Sequence, residues 1–153
     1  MIPPVEKTVH VPLSPEHAFE LFTSRMGEWW PMETHSISSD TEASDPAQGL
    51  RFETGADGKI TETLADGTES VWAHVTDWDA PNTFSIDWYP GEEPDLATQV
   101  KVTFTADTKG TRVDLVHSGF DVRGKDPEKM RAAYNEGWVG VMDRFIAATP
   151  VIA

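Results

Sequence analysis

The feature that most constrains the fold is a long apolar stripe near the C-terminus. Asp126-Pro127 places a good N-cap residue before a proline at the first helical position. Apolar residues then recur at steps of four, four, three and four, the spacing of one helix face, at Met130, Tyr134, Trp138, Val141 and Phe145. A helix from Asp126 to Ala148 would be about 33 Å long. A stripe of that length needs an apolar surface of similar extent to lie on.

Segments with the two-residue alternation of β-strands precede this helix. Val5 to Val11 alternate apolar and polar residues, which is typical of a strand with one buried face. Ser14-Pro15-Glu16 then indicates the start of a helix that runs to about Ser24. Two pairs, Asp57-Gly58 and Asp66-Gly67, favour the positive φ of tight hairpin turns. Further strands are predicted over Leu50 to Thr54, Lys59 to Leu64, Thr68 to Trp78 and Phe84 to Trp88, and on both sides of Lys109-Gly110.

The order of these elements predicts the fold class. The polar stretch Glu33 to Gln48 is interpreted as a loop, with a short strand near His35 to Ser38. The predicted order is otherwise strand, helix, six strands, helix, and no repeat or linker divides residues 1–153. Antiparallel hairpins with a long helix on one face predict a single α+β domain of two layers. In it, a curved seven-stranded antiparallel sheet wraps around the long C-terminal helix.

The composition narrows the possible partners. The chain has 26 acidic and 12 basic residues, a formal net charge of −14. Such a charge repels phosphate backbones and anionic lipid head groups, so we expect neither nucleic acid nor a membrane as partner. The lack of cysteine excludes disulfides, thiolate metal sites and cysteine nucleophiles. The sequence predicts no signal peptide and no membrane span, and therefore a cytoplasmic location.

Motifs spread over nearly the whole chain resemble those of a known superfamily. In order they are Ser14-Pro15 with Phe19 and Phe22, Trp29-Trp30-Pro31, Asp66-Gly67-Thr68-Glu69 with Val71-Trp72, Trp78-Asp79-Ala80-Pro81 with Phe84 and Trp88, Ala97-Thr98 through Val102 and Phe104, Gly110-Thr111-Arg112-Val113 with Leu115, His117-Ser118-Gly119, and Gly137-Trp138. Together they resemble the START-like (SRPBCC) helix-grip superfamily, and within it domains similar to the C-terminal half of the activator of Hsp90 ATPase.

The resemblance implies the helix-grip (START/Bet v 1-like) fold and, in most such domains, a hydrophobic cavity. The activities of the superfamily range from lipid carriage to polyketide cyclisation, so the resemblance implies no single function. Trp72-Ala73 stands where many of these domains have Trp-Gly. The sequence also has no counterpart of the additional N-terminal domain of the eukaryotic activator, and the resemblance therefore does not carry over the chaperone role.

Recognisable catalytic motifs are absent from the sequence. It has no Gly-x-Ser-x-Gly elbow, His-Glu-x-x-His helix, phosphate loop or dinucleotide-binding glycine pattern. His117 and His74 are candidates for proton transfer, together with Tyr134, because alternation can direct each histidine inward from its strand. The alternative is that each is a hydrogen-bonded or surface histidine. Glu62 and Glu69 flank a hairpin turn and are interpreted as solvated charges. No metal site and no cofactor are predicted.

The six tryptophans suggest how a cavity would be lined. Alternation within one predicted strand places Trp72 and Trp78 on one side and Val71, Ala73 and Val75 on the other. One of these two sets must therefore face the helix. Large amphipathic rings give a cavity its shape and a polar handle for an apolar ligand. The alternative is that the rings simply fill the core.

We therefore expect a site for a hydrophobic small molecule, in a cavity of roughly several hundred Å³ between the C-terminal helix and the concave sheet. The predicted lining residues are Phe22, Trp30, Trp72, His74, Trp88, Val102, His117, Tyr134, Trp138 and Met142, with Phe22 and Trp30 near the mouth. Two alternatives stay open. One is a cyclase- or hydrolase-like enzyme that uses His117 or His74 with Tyr134. The other is a co-chaperone-like protein-interaction module, which requires an exposed apolar patch.

Overall fold

A computed structural model describes residues 3–31, 49–64, 66–90, 92–122 and 124–149. The strands are β1 (Val5–Val11), β2 (Gly49–Phe52), β3 (Lys59–Thr63), β4 (Glu69–Asp79), β5 (Thr83–Trp88), β6 (Thr98–Asp107) and β7 (Gly110–Ser118). The α-helices are α1 (Pro15–Phe22) and α2 (Pro127–Ala148), and short 3-10 turns cover Met26–Glu28 and Pro94–Leu96. The short strand expected near residues 35–38 lies outside the described residues.

The seven strands form one antiparallel sheet in the order β1-β7-β6-β5-β4-β3-β2. Every strand from β2 to β6 pairs with the next one along the chain, and β1 pairs with β7. The sheet curves around α2, whose buried face carries Trp138, Val141, Met142 and Phe145. Both the predicted α+β class and the position of the apolar stripe against the hollow of the sheet are confirmed.

Polar contacts hold α2 beside the β1 edge of the sheet. The Asp126 carboxylate accepts hydrogen bonds from two backbone N–H groups of the first helical turn, at 3.1 and 3.2 Å. One turn later, Arg131 Nε donates to the carbonyl oxygen of Pro3 at 2.8 Å. Lys7 Nζ on β1 donates to Asn135 Oδ1 on α2 at 3.0 Å. These contacts fix the first half of the helix, so that its second half crosses the concave face.

Two irregularities in β4 change which side chains face the helix. The β3–β4 register shifts between Ile60 and Thr61, and the β4–β5 register shifts between Val75 and Asp77. A β-bulge of this kind places an extra residue in one strand and resets the alternation beyond it. On both sides of the second shift, the paired residues lie on the same face of the sheet. These pairs are Ala73 with Trp88, Val75 with Ile86, and Trp78 with Phe84.

Trp72 joins the same face as Ala73, since its ring packs on Trp30 and Trp88 with centroids 5.5 and 5.9 Å apart. The prediction that Trp72 and Trp78 lie on the opposite side from Ala73 and Val75 was therefore wrong. Strict alternation fails here because of the bulges. The concave face gains an extra large ring as a result.

The concave face has an aromatic group at each end. The phenylalanine group comprises Phe19, Phe22, Phe84 and Phe104, whose ring centroids lie 5.1 to 6.3 Å apart for the pairs in contact. The tryptophan cluster at the other end of β5 comprises Trp30, Trp72, Trp88 and Trp138. Phe145 of α2 packs on Phe22 at 5.0 Å and on Trp29 at 5.2 Å, and so connects the two groups through Trp29-Trp30.

Only one of the two Asp-Gly turns has the predicted backbone. Gly67 has a φ of 89°, in the left-handed region that tight turns use and that glycine tolerates. In the other turn, Gly55 rather than Gly58 has a positive φ, of 103°. A Cβ at Gly58 would lie 1.8 Å from the carbonyl oxygen of Glu53. Glycine is therefore required at position 58 because the backbone of Glu53 approaches closely, and not because of the φ angle of Gly58.

We expect Gly110→Ala to lower the free energy of unfolding by about 2 kcal/mol. Gly110 has a φ of 140°, and a Cβ there would lie 2.2 Å from the carbonyl oxygen of Val11 at the end of β1. The matched control is Gly49→Ala, because no atom lies within 4 Å of a Cβ at that position. Urea denaturation of both variants measures the difference, and equal effects would contradict the argument.

Candidate functional site

The tryptophan cluster gathers four rings from four different parts of the chain. Trp30 follows the first 3-10 turn, Trp72 and Trp88 lie on β4 and β5, and Trp138 lies on α2. The Trp30 ring centroid is 5.5, 5.9 and 6.0 Å from those of Trp72, Trp88 and Trp138. All four side chains are 1 to 6% exposed. Trp30 therefore forms the centre of a buried aromatic group between sheet and helix.

A chain of hydrogen bonds joins α2 to three strands beside this cluster. Trp138 Nε1 donates to His117 Nδ1 at 2.9 Å. The indole has no acceptor, so Nδ1 must carry the lone pair and Nε2 the proton. His117 Nε2 then donates to Thr98 Oγ1 at 2.6 Å, and the Thr98 hydroxyl donates to the Trp88 carbonyl oxygen at 3.3 Å. The direction of every bond in the chain is thereby fixed.

The environment of His117 keeps its ring neutral. The side chain is 0% exposed, and burial lowers its pKa from 6.5 to about 3. The rings of Phe120 and Tyr134 lie 4.8 and 4.4 Å from it, centroid to centroid. A proton on Nδ1 would also oppose the N–H of Trp138. Both ring nitrogens have partners, and the arrangement is that of a buried connector between α2 and the sheet.

Glu62 is buried, contrary to the interpretation from sequence. Its side chain is 0% exposed, and its Oε1 accepts a hydrogen bond from Trp72 Nε1 at 3.1 Å. Glu69, by contrast, is exposed and bonded to Arg51 at 3.1 Å, as a solvated turn charge should be. Glu62 follows Ile60 by two residues on β3, and Ile60 is also fully buried. That period-two spacing was the signal that marks Glu62 as an inward residue.

Two buried polar atoms in this region have no hydrogen-bond partner among the described residues. They are Nε1 of Trp88, in the tryptophan cluster, and Oγ1 of Thr61, the residue before Glu62. By contrast, the indole N–H groups of Trp72, Trp138 and Trp29 have acceptors. That of Trp29 donates to the Leu21 carbonyl oxygen at 2.7 Å. Trp88 thus presents an unused donor inside an apolar group.

Most of the predicted lining residues are buried on the concave face, but they divide between its two ends. Trp30, Trp72, Trp88, Trp138 and His117 meet at the tryptophan cluster, where Tyr134 contacts His117. Phe22 was expected near the cavity mouth, but it is buried in the phenylalanine group. Val102 pairs with Phe84 and so belongs to that end too. Met142 is buried on α2 between the two ends.

His74 does not join the other predicted residues. It is exposed and pairs with Asp87, on the face opposite to Trp88 and Ala73. Its Nδ1 is hydrogen-bonded to the hydroxyl of Tyr89, and the two rings are stacked with centroids 5.5 Å apart. Burial raises the pKa of Tyr89, and the nearby Asp87 adds to the effect. The expectation that His74 points inward was wrong, because the bulges of β4 reset its alternation.

Three open grooves are lined by described residues. The first, of 410 Å³, runs along Thr83, Lys101 and Thr103. The second, of 360 Å³, lies beside α1 at Glu20 and Pro81, and the third, of 250 Å³, lies at Gly49–Arg51 and Thr63. None of these three grooves lies between α2 and the sheet. The internal cavity therefore stays a prediction. So does the role of its predicted lining residues in ligand binding.

Residues 3–31, 49–64, 66–90, 92–122 and 124–149 contain neither a membrane-spanning helix nor a cluster of metal ligands. In these ranges no helix is both long and apolar enough to cross a membrane. The same residues contain no group of three or more histidine, aspartate or glutamate side chains placed to hold a metal ion.

The fold is shared with several solved structures. Protein MLL2253 from Mesorhizobium loti is 18% identical, with 94% of each chain covered and a TM-score of 0.67. The resistance protein CalC from Micromonospora echinospora, described as self-sacrificing, is 27% identical over 95% of this chain and 92% of its own, with a TM-score of 0.66. An anthrahydroquino-γ-pyrone synthase is 30% identical over 95% of this chain and 96% of its own, with a TM-score of 0.57.

No functionally curated protein matches the sequence significantly. The family model for activator of Hsp90 ATPase homolog 1-like proteins matches residues 12–149, nearly the whole chain. This match and the solved structures confirm the resemblance inferred from the motifs. The chain belongs to the activator of Hsp90 ATPase homolog 1-like family.

Proposed function

We propose that the chain binds a hydrophobic small molecule that contains a ring system, between α2 and the concave face of the sheet at the tryptophan cluster. The observation that carries the proposal is the cluster itself. Four buried indole rings pack against one another. One of them donates to the buried carboxyl group of Glu62, and another, Trp88, has an unused N–H group at Nε1. Sites for small molecules commonly combine an apolar aromatic wall with a few placed polar groups.

The geometry of the rings suits a flat guest. The Trp30 plane is inclined at 62° to that of Trp72 and at 87° to that of Trp138. Edge-to-face contacts of this kind are favourable for aromatic rings, so an additional ring can replace one such contact by another. Burial of an aromatic surface against these walls would supply most of the binding free energy, because apolar area is removed from water.

The related proteins support the proposal at the level of chemistry. The synthase that is 30% identical to this chain is named for an anthrahydroquino-γ-pyrone, a fused aromatic system. CalC, 27% identical, is named as a resistance protein. The synthase is thus named for a compound that contains a ring system, as proposed for the ligand of this chain.

The two alternative functions have weaker support. Proton transfer by His117 is disfavoured because both ring nitrogens already have partners and its pKa is about 3. His74 is separated from Tyr134 by the sheet. A protein-interaction module would need a sizeable apolar patch, whereas among the described residues the exposed large hydrophobic side chains are Val139 and Ile146, at 49% and 38%.

Titration with 1-aminoanthracene, a neutral fluorescent three-ring probe, tests the proposal. We expect saturable binding of one probe per chain with a rise in its fluorescence. Trp30→Leu should weaken binding by about tenfold or more, because the central ring of the cluster is lost. Val139→Ala, on the exposed side of α2, should leave the affinity unchanged. Absence of saturable binding to folded protein, checked by circular dichroism, would contradict the proposal.

A further inference from the structure

The groove beside α1 is bordered by a tryptophan that lies outside the tryptophan cluster. Trp78 of β4 packs edge-on against Phe19, with ring centroids 5.0 Å apart and ring planes at 76°. It also contacts Phe52 and Phe84, at 6.1 and 6.0 Å. Trp78 is nevertheless only partly buried, and it lines the groove of 360 Å³. Three phenylalanines therefore hold a ring that keeps part of its surface exposed to solvent.

The floor of this groove is apolar and continues beyond the indole ring. Ala80 and Pro81, in the turn between β4 and β5, line it next to Trp78, and Phe19 lines it from α1. Sites for small molecules usually enclose most of the surface of their ligand. An open groove instead suits one side chain of a larger partner, whose other residues lie outside it.

Two carboxylates stand at the rim of the groove. Glu16 and Glu20 lie one turn apart on α1, and both are exposed. Neither has a salt-bridge partner among the residues that the structure describes. Arg25 is attracted to Glu20, but its guanidinium is bonded to Glu28 at 2.9 Å. Like charges four residues apart on a helix repel each other, so a cation between them would relieve that repulsion.

We propose that this groove docks a basic segment of another protein, with one arginine side chain stacked on Trp78 and its guanidinium group between the carboxylates of Glu16 and Glu20. Arginine fits because its planar group stacks on an indole ring and has five N–H donors, enough for two carboxylates. A lysine ammonium is compact and strongly hydrated, and it offers the ring no flat surface. The groove is separate from the proposed ligand site, since Trp78 contacts the phenylalanine group at the other end of β5.

Other occupants fit the charge of the groove less well. Nucleic acids and anionic membranes are repelled by a chain of net charge −14. A second copy of the chain carries the same net charge, so its approach is opposed too. A purely apolar partner would cover the two carboxylates without supplying a counter-charge. The proposed contact depends on charge and on one aromatic ring, and therefore does not need a large exposed apolar patch.

NMR titration with short capped peptides tests the proposal, at about 150 mM salt to limit long-range attraction. The probe is acetyl-Gly-Val-Arg-Val-Gly-amide, and its control has citrulline in place of arginine, which keeps nearly the same shape without the charge. We expect about tenfold tighter binding of the arginine peptide. The side-chain protons of its arginine should move upfield, because they lie over the ring of Trp78. Equal affinity of the two peptides, or no saturable binding of the arginine peptide, would contradict the proposal.

Two double variants distinguish a specific groove from diffuse attraction to an acidic protein. Glu16→Gln with Glu20→Gln should abolish the preference for arginine over citrulline. The matched control is Glu6→Gln with Glu136→Gln, which removes the same charge at exposed positions outside the groove. This control should keep the preference. Equal losses in the two double variants would overturn the proposal.

A single amino acid is the last probe. Acetyl-arginine-amide should bind about fourfold more weakly than the peptide, because it lacks the neighbouring residues that would contact Ala80 and Pro81. Equal binding of the two would indicate a small-molecule site and overturn the docking of a protein segment. The affinity for 1-aminoanthracene should be the same with and without the substitutions of Glu16 and Glu20, since that probe reports on the tryptophan cluster. A parallel loss of both affinities would overturn the separation of the two sites.

Discussion

His117→Ala is expected to lower the free energy of unfolding by about 4 kcal/mol. The imidazole is fully buried and is packed between Phe120 and Tyr134. Its removal leaves a cavity and also leaves the buried N–H of Trp138 without its acceptor. Both costs fall on the contact between α2 and the sheet. Urea denaturation at pH 7.5, followed by tryptophan fluorescence, measures the effect.

The matched control is His74→Ala, which changes the same residue type on the exposed face of β4. It loses a hydrogen bond to Tyr89 without opening a buried cavity, so its effect should be about 1 kcal/mol or less. Similar destabilisation by the two variants would contradict the connector role of His117. A loss confined to His117→Ala would support it.

The same connector bears on the proposed binding site. Trp138 forms one wall of the tryptophan cluster, and its position is fixed by His117 and by the packing of α2. The Trp88 carbonyl is held through Thr98 by the same chain. Two of the four walls are therefore held by a single hydrogen-bonded chain with one direction. A site held in this way keeps its walls at fixed positions, which lowers the ordering cost of binding.

The elements that were predicted correctly from sequence are those with a regular period. The stripe of α2 repeats over several turns, and three of its five members, Trp138, Val141 and Phe145, are buried as expected. On β7, alternation runs without a shift through Val113, Leu115 and His117, and the prediction that His117 faces inward was right. In both cases the burial of a residue follows from its spacing to neighbours in the chain.

The errors come from places where the period is reset. Both register shifts involve β4. The two wrong assignments, of Trp72 relative to Ala73 and of His74, lie on this strand. A bulge is set by how two strands pair, so one strand's residue pattern does not reveal it. Glu62 was misinterpreted for a different reason. Its proximity to a turn was given more weight than its spacing from Ile60 on the same strand.

The hydrogen-bond partners within the site had no sequence signal. Thr98, Trp88 and His117 are brought together by the pairing of β5, β6 and β7, and Trp138 reaches them from another layer. Whether an indole N–H finds an acceptor depends on these tertiary positions to within a fraction of an ångström. The unused donor of Trp88 is for this reason a feature that only the three-dimensional structure reveals.

The stability of the protein is expected to fall by roughly 3 kcal/mol between pH 7.5 and pH 4.5 through His117 alone. Its pKa in the folded state is about 3, against 6.5 for the unperturbed group. Between these two values the unfolded chain binds a proton at this residue and the folded chain does not. Protonation thus favours unfolding as the pH falls below 6.5, and the contribution stops changing below about pH 3, where the folded state is protonated too.

The contribution of His117 can be separated from that of the many carboxylates by a variant that does not titrate. His117→Gln keeps an acceptor for Trp138 and a donor for Thr98, but has no proton to gain in this range. The side chains that contact the His117 ring, Thr98, Phe120, Tyr134 and Trp138, are uncharged between pH 4.5 and pH 7.5. Free energies of unfolding of both proteins across this range should therefore converge as the pH falls. Parallel curves of unfolding free energy against pH would show that the imidazole is accessible to protons in the folded state. That result is incompatible with the place of His117 in the row of hydrogen bonds from Trp138 to Trp88.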